Sequence, residues 1–470
     1  MTNKPVLSPA HGRKPAAKFA AKPVAIGAAA LSVSLFALGA PSVSAETLND
    51  ALAKAYTTNP TLQSARATLR ATDEGMAQAL SGYRPSLSAV GTAASKQQET
   101  SSDPGNTIDT TPRTLSLNLS QSLFAGGQTV AAVSSAGNTI SAQRARLKGS
   151  EQTILLSAAT AYSDVLRDQA VLELNISNEQ VLGRHLEATR DRFDVGEITR
   201  TDVHLAEARL AGATASRIQA EGTLEASRAT YANVVGEAPT ALEKPALTLP
   251  LPTSLDEALT LGDDENPAII AANFSEQAAL DSIDSTKGQL LPSIDLTGSA
   301  NRSLDTTSND YWSNSLEAKV TLTVPLYESG SVYSQVRQAR QQAAASRLDA
   351  DQARRDVAAQ VRQAWQSLQV TRARIESIET QVLAAQTALE GVQREADVGS
   401  RTVLDVLDSE QELLDARVNL VSSQRDETVA ALTLLSTVGR LTATDLNLAV
   451  DLYDTGRHYQ DVQNKWFGAN

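Results

Sequence analysis

Four short segments alternate apolar and polar residues. In "RTLSLNLSQSLF", Leu115, Leu117, Leu119 and Leu123 share one face, and Ser116, Asn118, Ser120 and Ser122 share the other. In "SLEAKVTLTV", Leu316, Ala318, Val320, Leu322 and Val324 alternate with Glu317, Lys319, Thr321 and Thr323. In "SIDLTGSAN", Ile294 and Leu296 alternate with Asp295 and Thr297, while the segment from Pro85 alternates only weakly. A period of two places successive side chains on opposite faces of a strand. The pattern predicts strands over about 85–95, 113–124, 292–302 and 314–325. Segments of this length suit the wall of a membrane β-barrel, and equally an antiparallel sheet with one buried face.

Elsewhere the period is helical. Between Gly330 and Gly399 there is no Pro, and apolar positions run Val357, Val361, Ala364, Leu368, Ile375, Ile378, Val382, Ala385, Leu389, Val392 and Ala396 in steps of three, four or seven. Ile140, Leu147, Ile154, Ala158, Ala161, Val165, Leu172 and Ile176 do the same in the first half. This is a coiled-coil seam, and its many alanines let helix axes approach closely. Nearly 70 residues at about 1.5 Å each make a rod of about 100 Å.

The chain repeats itself. "LNDALAKAYTTNP" (48–60) resembles "LDEALTLGDDENP" (255–267), and "RPSLSAVG" (84–91) resembles "LPSIDLTG" (291–298), both at an offset of 207. From "SLFAGG" (122–127) and "PLYESG" (325–330) onward the offset is 203, shared by Val195-Gly196 and Val398-Gly399, Thr199 and Thr402, Asp202 and Asp405, and Glu207 and Glu410. The lost four residues are assigned to the polar stretch Ser95 to Pro112, read as a loop. The predicted organisation is a first repeat over 46–245 with a helical hairpin at about 127–235, a proline-rich linker at 246–252, a second repeat over 253–448 with a hairpin at about 330–438, and a tail at 449–470 that breaks the repeat.

The absence of Cys excludes disulfides, thiolate metal sites and an N-terminal lipid-bearing Cys. Residues 1–45 read as a secretory signal peptide: Lys4, Arg13, Lys14, Lys18 and Lys22, then the apolar "VAIGAAALSVSLFALGA", then Val43-Ser44-Ala45 before Glu46. A membrane anchor is the alternative, but 17 apolar or small residues are short for a span. Removing five leader cations and no acid takes the net charge from −13 to −18, which disfavours nucleic acid as a partner. His11, His185, His204 and His458 are scattered, and no metal spacing, phosphate loop or nucleophile motif appears. No cofactor and no enzymatic activity are expected.

At "FDVGEITRTDV" and "ADVGSRTVLDV" a helix stops and another starts. Gly196 and Gly399 fit the left-handed position after a helix end. Thr199-x-x-Asp202 and Thr402-x-x-Asp405 match a capping box in its Asp form. Each motif therefore predicts at least a sharp αα-hairpin.

An exported chain thus pairs four amphipathic strands with rods of about 100 Å. Four strands cannot close a barrel, and open edges are not tolerated in lipid. If the strands enter a membrane, several chains must pool them, and three would supply twelve.

The leader, the two-fold repeat, the "SLFAGG" and "PLYESG" joints and the paired turns resemble the TolC family of outer-membrane efflux proteins, from Glu46 to about Leu448. The resemblance implies a mainly α fold with β. Long antiparallel hairpins would form an α-barrel tunnel in the periplasm, and four strands per chain would join a trimeric twelve-stranded barrel in the outer membrane of a Gram-negative bacterium. It implies an exit duct for efflux or type I secretion, with partners that include two further copies, outer-membrane lipid, a periplasmic adaptor and an inner-membrane ABC or proton-driven transporter. By the same resemblance Thr201, Asp202 and Arg401 would hold the tunnel shut, and Asp405 and Asp408 would form a cation-selective ring. Val195, Gly196, Val398 and Gly399 would receive the adaptor. The family often has Tyr where this chain has Ala396, and Phe193 occupies the first turn, so a tyrosine link in the gate is not expected. Asp295, Glu317 and Lys319 would face the barrel lumen or a solvated strand face, and Tyr311 and Trp312 would anchor at the lipid interface or lie in a loop. The rival readings are a periplasmic adaptor, which should show one hairpin splitting a β-domain, and a structural coiled coil, which leaves the strands unexplained.

Overall fold

The computed structural model describes residues 46–100, 103–245 and 250–468. The predicted leader and residues 246–249 of the predicted linker lie outside the described residues. The first half runs α1 (Leu48–Thr58), α2 (Pro60–Leu80), β1 (Ser86–Ala93), β2 (Lys96–Thr100), β3 (Asp103–Thr110), β4 (Arg113–Ala125), α3 (Gln128–Asp194) and α4 (Arg200–Val235). The second runs α5 (Leu255–Glu265), α6 (Pro267–Gly288), β5 (Ser293–Leu304), β6 (Trp312–Thr323), α7 (Ser331–Asp397) and α8 (Val403–Thr437), and a short α9 (Arg457–Gln463) follows.

Four strands form one antiparallel sheet in the order β1-β4-β5-β6. The register separates its two faces. Ser116, Asn118 and Ser120 lie opposite Asn301, Ser299 and Thr297, which lie opposite Ser315, Glu317 and Lys319, and Asp295 lies opposite Thr321. Glu317, Lys319 and Asp295 therefore share the polar face. The other face carries Leu87, Leu115, Leu117, Leu119, Leu316, Val320 and Leu322, and it is turned to the surroundings: Leu115 is 62% exposed and Leu316 88%. A water-soluble sheet does the reverse, burying its leucines and wetting its serines. Apolar-out alternation is the pattern of a strand whose outer solvent is lipid.

The stretch read as a loop is instead a second hairpin. β2 and β3 pair antiparallel, with Gln97 opposite Asp109 and Glu99 opposite Thr107, and the Glu99 carboxylate accepts the Gly105 N–H at 2.7 Å near the turn. Both of its faces are mostly polar, so the apolar period that marks the other strands is missing. Ala94 N–H to Pro112 C=O, 2.9 Å, joins this hairpin to the end of the main sheet away from the helices.

Each first strand is preceded by two helices where the repeat pattern alone would allow one continuous helix. Asn59-Pro60 and Asn266-Pro267 break it, and each Asn serves two helices at once. Asn59 Oδ1 accepts the Thr61 N–H (2.9 Å) at the start of α2, while its Nδ2 donates to Val234 C=O (2.9 Å) at the end of α4. Asn266 Oδ1 accepts the Ala268 N–H (2.8 Å), and its Nδ2 donates to Thr437 C=O (2.8 Å). One side chain thus satisfies orphan backbone groups on both sides of a joint. It splices the 36-residue α4 end-on to α2, and the 35-residue α8 to α6, so the returning helices follow the 67-residue α3 and α7 along their length. Both asparagines are buried.

The rods bury the residues that the seam pattern picks out. Val357, Val361, Ala364 and Leu368 of α7 pack on Ala430, Ala431 and Leu434 of α8, and farther down Ala385 and Leu389 pack on Val406 and Leu413. In α3 the seam is interrupted. Ile176 is exposed, and buried Asp168 accepts the Ser227 hydroxyl beside buried Asn175, along a polar groove of about 430 Å³. At mid-length Asp164 of α3 binds Arg425 of α8 at 2.8 Å and Arg167 at 3.1 Å, which ties the two hairpins together. The tail is also packed. Tyr453 N–H donates to the Tyr56 hydroxyl (3.0 Å), and Arg84 donates to the carbonyls of Lys465 and Gln463.

Two expectations follow. Asn266→Ala removes a cap from two helices and should cost about 1–2 kcal/mol for each lost cap, read as a lower midpoint for heat unfolding of the purified protein. Gly126 has φ +58°, and a Cβ there would sit 2.2 Å from the Gly288 carbonyl oxygen. Gly126→Ala should therefore cost about 1–3 kcal/mol and lower the yield of folded protein, whereas Gly75→Ala, in open space, should leave both unchanged.

Candidate functional site at the hairpin turns

At the first turn α3 ends in Val195, and Gly196 has φ +83°. Gly196 N–H donates to Phe193 C=O and Glu197 N–H to Arg192 C=O, both 2.9 Å. At the second, Gly399 has φ +78°, with Gly399 N–H on Ala396 C=O (3.0 Å) and Ser400 N–H on Glu395 C=O (2.9 Å). A left-handed residue followed by a six-to-one bond is the helix stop that glycine permits at little steric cost.

The restart is a complete capping box in both places. Asp202 Oδ2 accepts the Thr199 N–H (2.9 Å) and hydroxyl (2.7 Å), and Thr199 Oγ1 accepts the Asp202 N–H. Asp405 Oδ2 accepts the Thr402 N–H (2.9 Å) and hydroxyl (2.8 Å) in the same way. These bonds favour the charged carboxylates. The Thr199 hydroxyl and then its N–H hold Asp202 below the usual range, and the Thr402 N–H and then its hydroxyl do so for Asp405.

The structure brings some of the predicted site residues together and separates others. Arg401 donates to Glu395 at 2.9 Å, and within one chain it does not meet Asp202. Thr201 is exposed. Asp408 forms an ion pair with Arg209 of α4, linking the second hairpin to the first. Val195 and Val398 stand out from the two tips, 73% and 80% exposed. Ala396 packs beside Leu389 and Val406.

Three features of this end escape sequence reasoning. Arg209–Asp408 joins residues 199 positions apart, and no periodicity predicts it. His185 Nε2 lies 3.7 Å from Glu410 Oε1, another link between hairpins. Leu407 is fully buried against Leu182 and Ala213 of the first hairpin. One related feature carried a signal. Arg190 donates to Glu207 (2.8 Å) and Gln393 to Glu410 (3.1 Å), and both partners keep the 203-residue offset. Among the described residues no group of acidic and histidine side chains could hold a metal ion.

A sheet with an apolar outer face, set on helical rods that end in paired turns, defines an outer-membrane channel with a periplasmic tunnel. The chain belongs to the outer membrane efflux protein family, whose model matches residues 51–237 and again 262–440, one match per repeat. It is similar to the outer membrane efflux protein BepC of Brucella suis biovar 1 (strain 1330), with 36% identity over 443 residues, 94% of this chain and 96% of that protein. It is also similar to the outer membrane protein TolC of Escherichia coli (strain K12), with 28% identity over 419 residues, 86% of this chain and 84% of that one. In fold it matches the crystal structure of the outer membrane protein VceC of Vibrio cholerae with a TM-score of 0.73 at 23% identity, over 83% of this chain and 96% of that one. The protein is an outer-membrane export channel of the efflux and type I secretion class, the exit duct of a tripartite system. The adaptor and bare coiled-coil readings fall to the duplicated family match and the lipid-facing sheet.

The caps set a pH dependence. Asp202 and Asp405 lie below their ordinary value of 3.8. A depressed folded value means that the capping contribution is complete above that pH and is lost as pH falls through the folded value. Amide exchange in the first turns of α4 and α8, corrected for intrinsic rates, should stay level from about pH 7 to about 4 and speed up only below that. Acceleration between about pH 7 and 5 would mean that these carboxylates do not cap.

Proposed function

We propose that three copies assemble into a twelve-stranded barrel above a closed helical tunnel, and that the paired turns are its gate. The observation that carries this is the pair of free edges, β1 and β6, on a sheet whose outer face is apolar. An open edge in lipid leaves backbone N–H and C=O groups without partners, at several kcal/mol for each group. Pairing β6 of one copy with β1 of the next removes every edge.

In that ring each turn is repeated three times around the tunnel axis. Between Glu390 and Glu412 one chain carries seven carboxylates and two arginines. Three copies bring an excess of negative charge to the narrow end, which attracts cations and repels anions. Asp408 and Asp405 contribute to that field, and Asp405 does so while capping its helix. Arg401, paired with exposed Glu395, would reach Asp202 and Thr201 of a neighbouring copy. The exposed Val195-Gly196 and Val398-Gly399 tips offer an apolar contact to a periplasmic adaptor. That adaptor would couple the duct to an inner-membrane ABC or proton-driven transporter. Opening requires the hairpins to swing apart, which a partner drives by binding the open arrangement more tightly.

Single-channel current in a planar bilayer tests the gate. The wild type should pass a small cation-selective current. Asp202→Ala/Arg401→Ala should pass a larger one, and Asp405→Asn/Asp408→Asn should lose selectivity. Thr199→Ala separates gate from cap, because it weakens the cap and keeps the Asp202 carboxylate. A current raised equally by Thr199→Ala would assign Asp202 to the cap alone.

A further inference from the structure

Where the tail crosses α2 and α3, a cavity of about 420 Å³ lies between those helices and residues 442–455. Three cations line it. Arg66 is only 8% exposed. Its guanidinium lies between the rings of Tyr56 (4.5 Å) and Tyr453 (5.1 Å), and it donates to Tyr56 C=O at 3.3 Å. Arg144 lies over the Tyr459 ring at 5.2 Å, and its Nε is enclosed without an acceptor. Lys148 makes no hydrogen bond or ion pair among the described residues.

Two acids, Glu151 and Asp445, share the lining. Glu151 accepts the Ala443 N–H at 2.7 Å, and Asp445 accepts the Thr442 hydroxyl at 2.6 Å while its own N–H donates back to Thr442. Buried Asp73, the acid whose charge Arg144 feels, takes its hydrogen bond from His458 at 3.3 Å. Burial pushes both Glu151 and Asp73 above the ordinary carboxylate range, while Arg66 and Lys148 pull Glu151 the other way and Arg144 does so for Asp73. Among the described residues none of the three cations has a carboxylate within ion-pair distance. A buried cation such as Arg66 is ordinarily paired, because a desolvated charge without a partner is costly. Three cations against two acids around one cavity, with no carboxylate within ion-pair distance of any of the three and the Arg144 Nε without an acceptor, point to a ligand that supplies further negative charge.

The chemistry narrows the ligand. Two guanidiniums offer planar donor forks and a lysine offers a point charge, the combination that suits the several oxygens of a phosphoryl group. The space admits such a group with its remaining water. Position argues against a lipid headgroup: Arg144 stands 16 residues along α3 from Gln128, about 24 Å from the barrel end. We propose that the cavity walled by Arg66, Arg144 and Lys148 binds a phosphate-class oxyanion from the aqueous periplasm. The anion bridges α2 and α3 to the tail through this wall, and the tail, which stands outside the repeat, closes the site.

The test uses the full mature channel in detergent. Sodium phosphate is titrated against sodium chloride at equal ionic strength, followed by calorimetry and by the midpoint of heat dissociation. The expected result is saturable phosphate binding at one site per chain with a rise in midpoint that chloride does not reproduce. Lys148→Gln and Arg144→Gln should each weaken it about tenfold or more, the scale of one charge-assisted hydrogen bond. Glycerol 3-phosphate is the second probe: equal binding assigns the site to phosphate monoesters as well, and binding of inorganic phosphate alone assigns it to the free ion. If Arg144→Gln fails to assemble, Lys148→Gln carries the test, since among the described residues its side chain makes no hydrogen bond or close ion pair and acts on Glu151 and Glu265 only at longer range. Equal responses to phosphate and chloride, or phosphate affinity unchanged in Lys148→Gln, overturn the proposal.

Discussion

Backbone N–H and C=O groups left without partners are the constraint on which this molecule turns. In lipid such groups have no water to bond, so a sheet that ends in two free edges is incomplete in one copy. At the joints of the rods the same demand is met by asparagine. Asn59 and Asn266 each bond an N–H at the start of one helix and a C=O at the end of another, and so make two short helices follow one long one. The turns meet it with Gly196 and Gly399 on one side and the Thr-Asp boxes on the other. Barrel, rod and turn are three answers to one problem.

The hairpin-turn end gains meaning from that economy of parts. Asp202 and Asp405 are already bound within their own chain, so any role around the tunnel axis is added to a capping role. Asp408 and Arg209 lock one hairpin to the other, and Leu407 buries itself across the same boundary. The two hairpins of a chain are joined again at mid-length by Asp164 and Arg425. Motion at the tips is therefore motion of ion-paired hairpins, and the exposed Arg401–Glu395 pair is a contact that can exchange partners without unfolding a helix.

Much of this was legible in the residues. The seam positions of α7, the four alternating strands, the two turns and the duplication all rest on local periods or on a fixed offset, and such patterns are properties of the chain itself. The β2–β3 hairpin was not legible, because its two faces are alike in polarity and the period vanishes. Asn59-Pro60 and Asn266-Pro267 were visible as repeats, yet their second bond, to a helix end more than 170 residues away, was not. Ile176 fits the seam by spacing and lies outside it, since its neighbour Asn175 takes the interior at that level.

The sequence by itself determined the four strands of the main sheet and the two long rods, where each rod stops and restarts, and that the whole is built twice. These are short-range matters of side-chain period, glycine conformation and hydrogen bonds three residues apart. Only the tertiary structure decided which way the sheet faces, which charges meet and what the tail does. An alternating strand can turn its leucines in or out with the same local energy, and the packing of the rest of the chain makes the choice. The pairing of Arg209 with Asp408, and the gathering of Arg66, Arg144 and Lys148 around one cavity, depend on helices distant in sequence lying side by side, which no local pattern encodes.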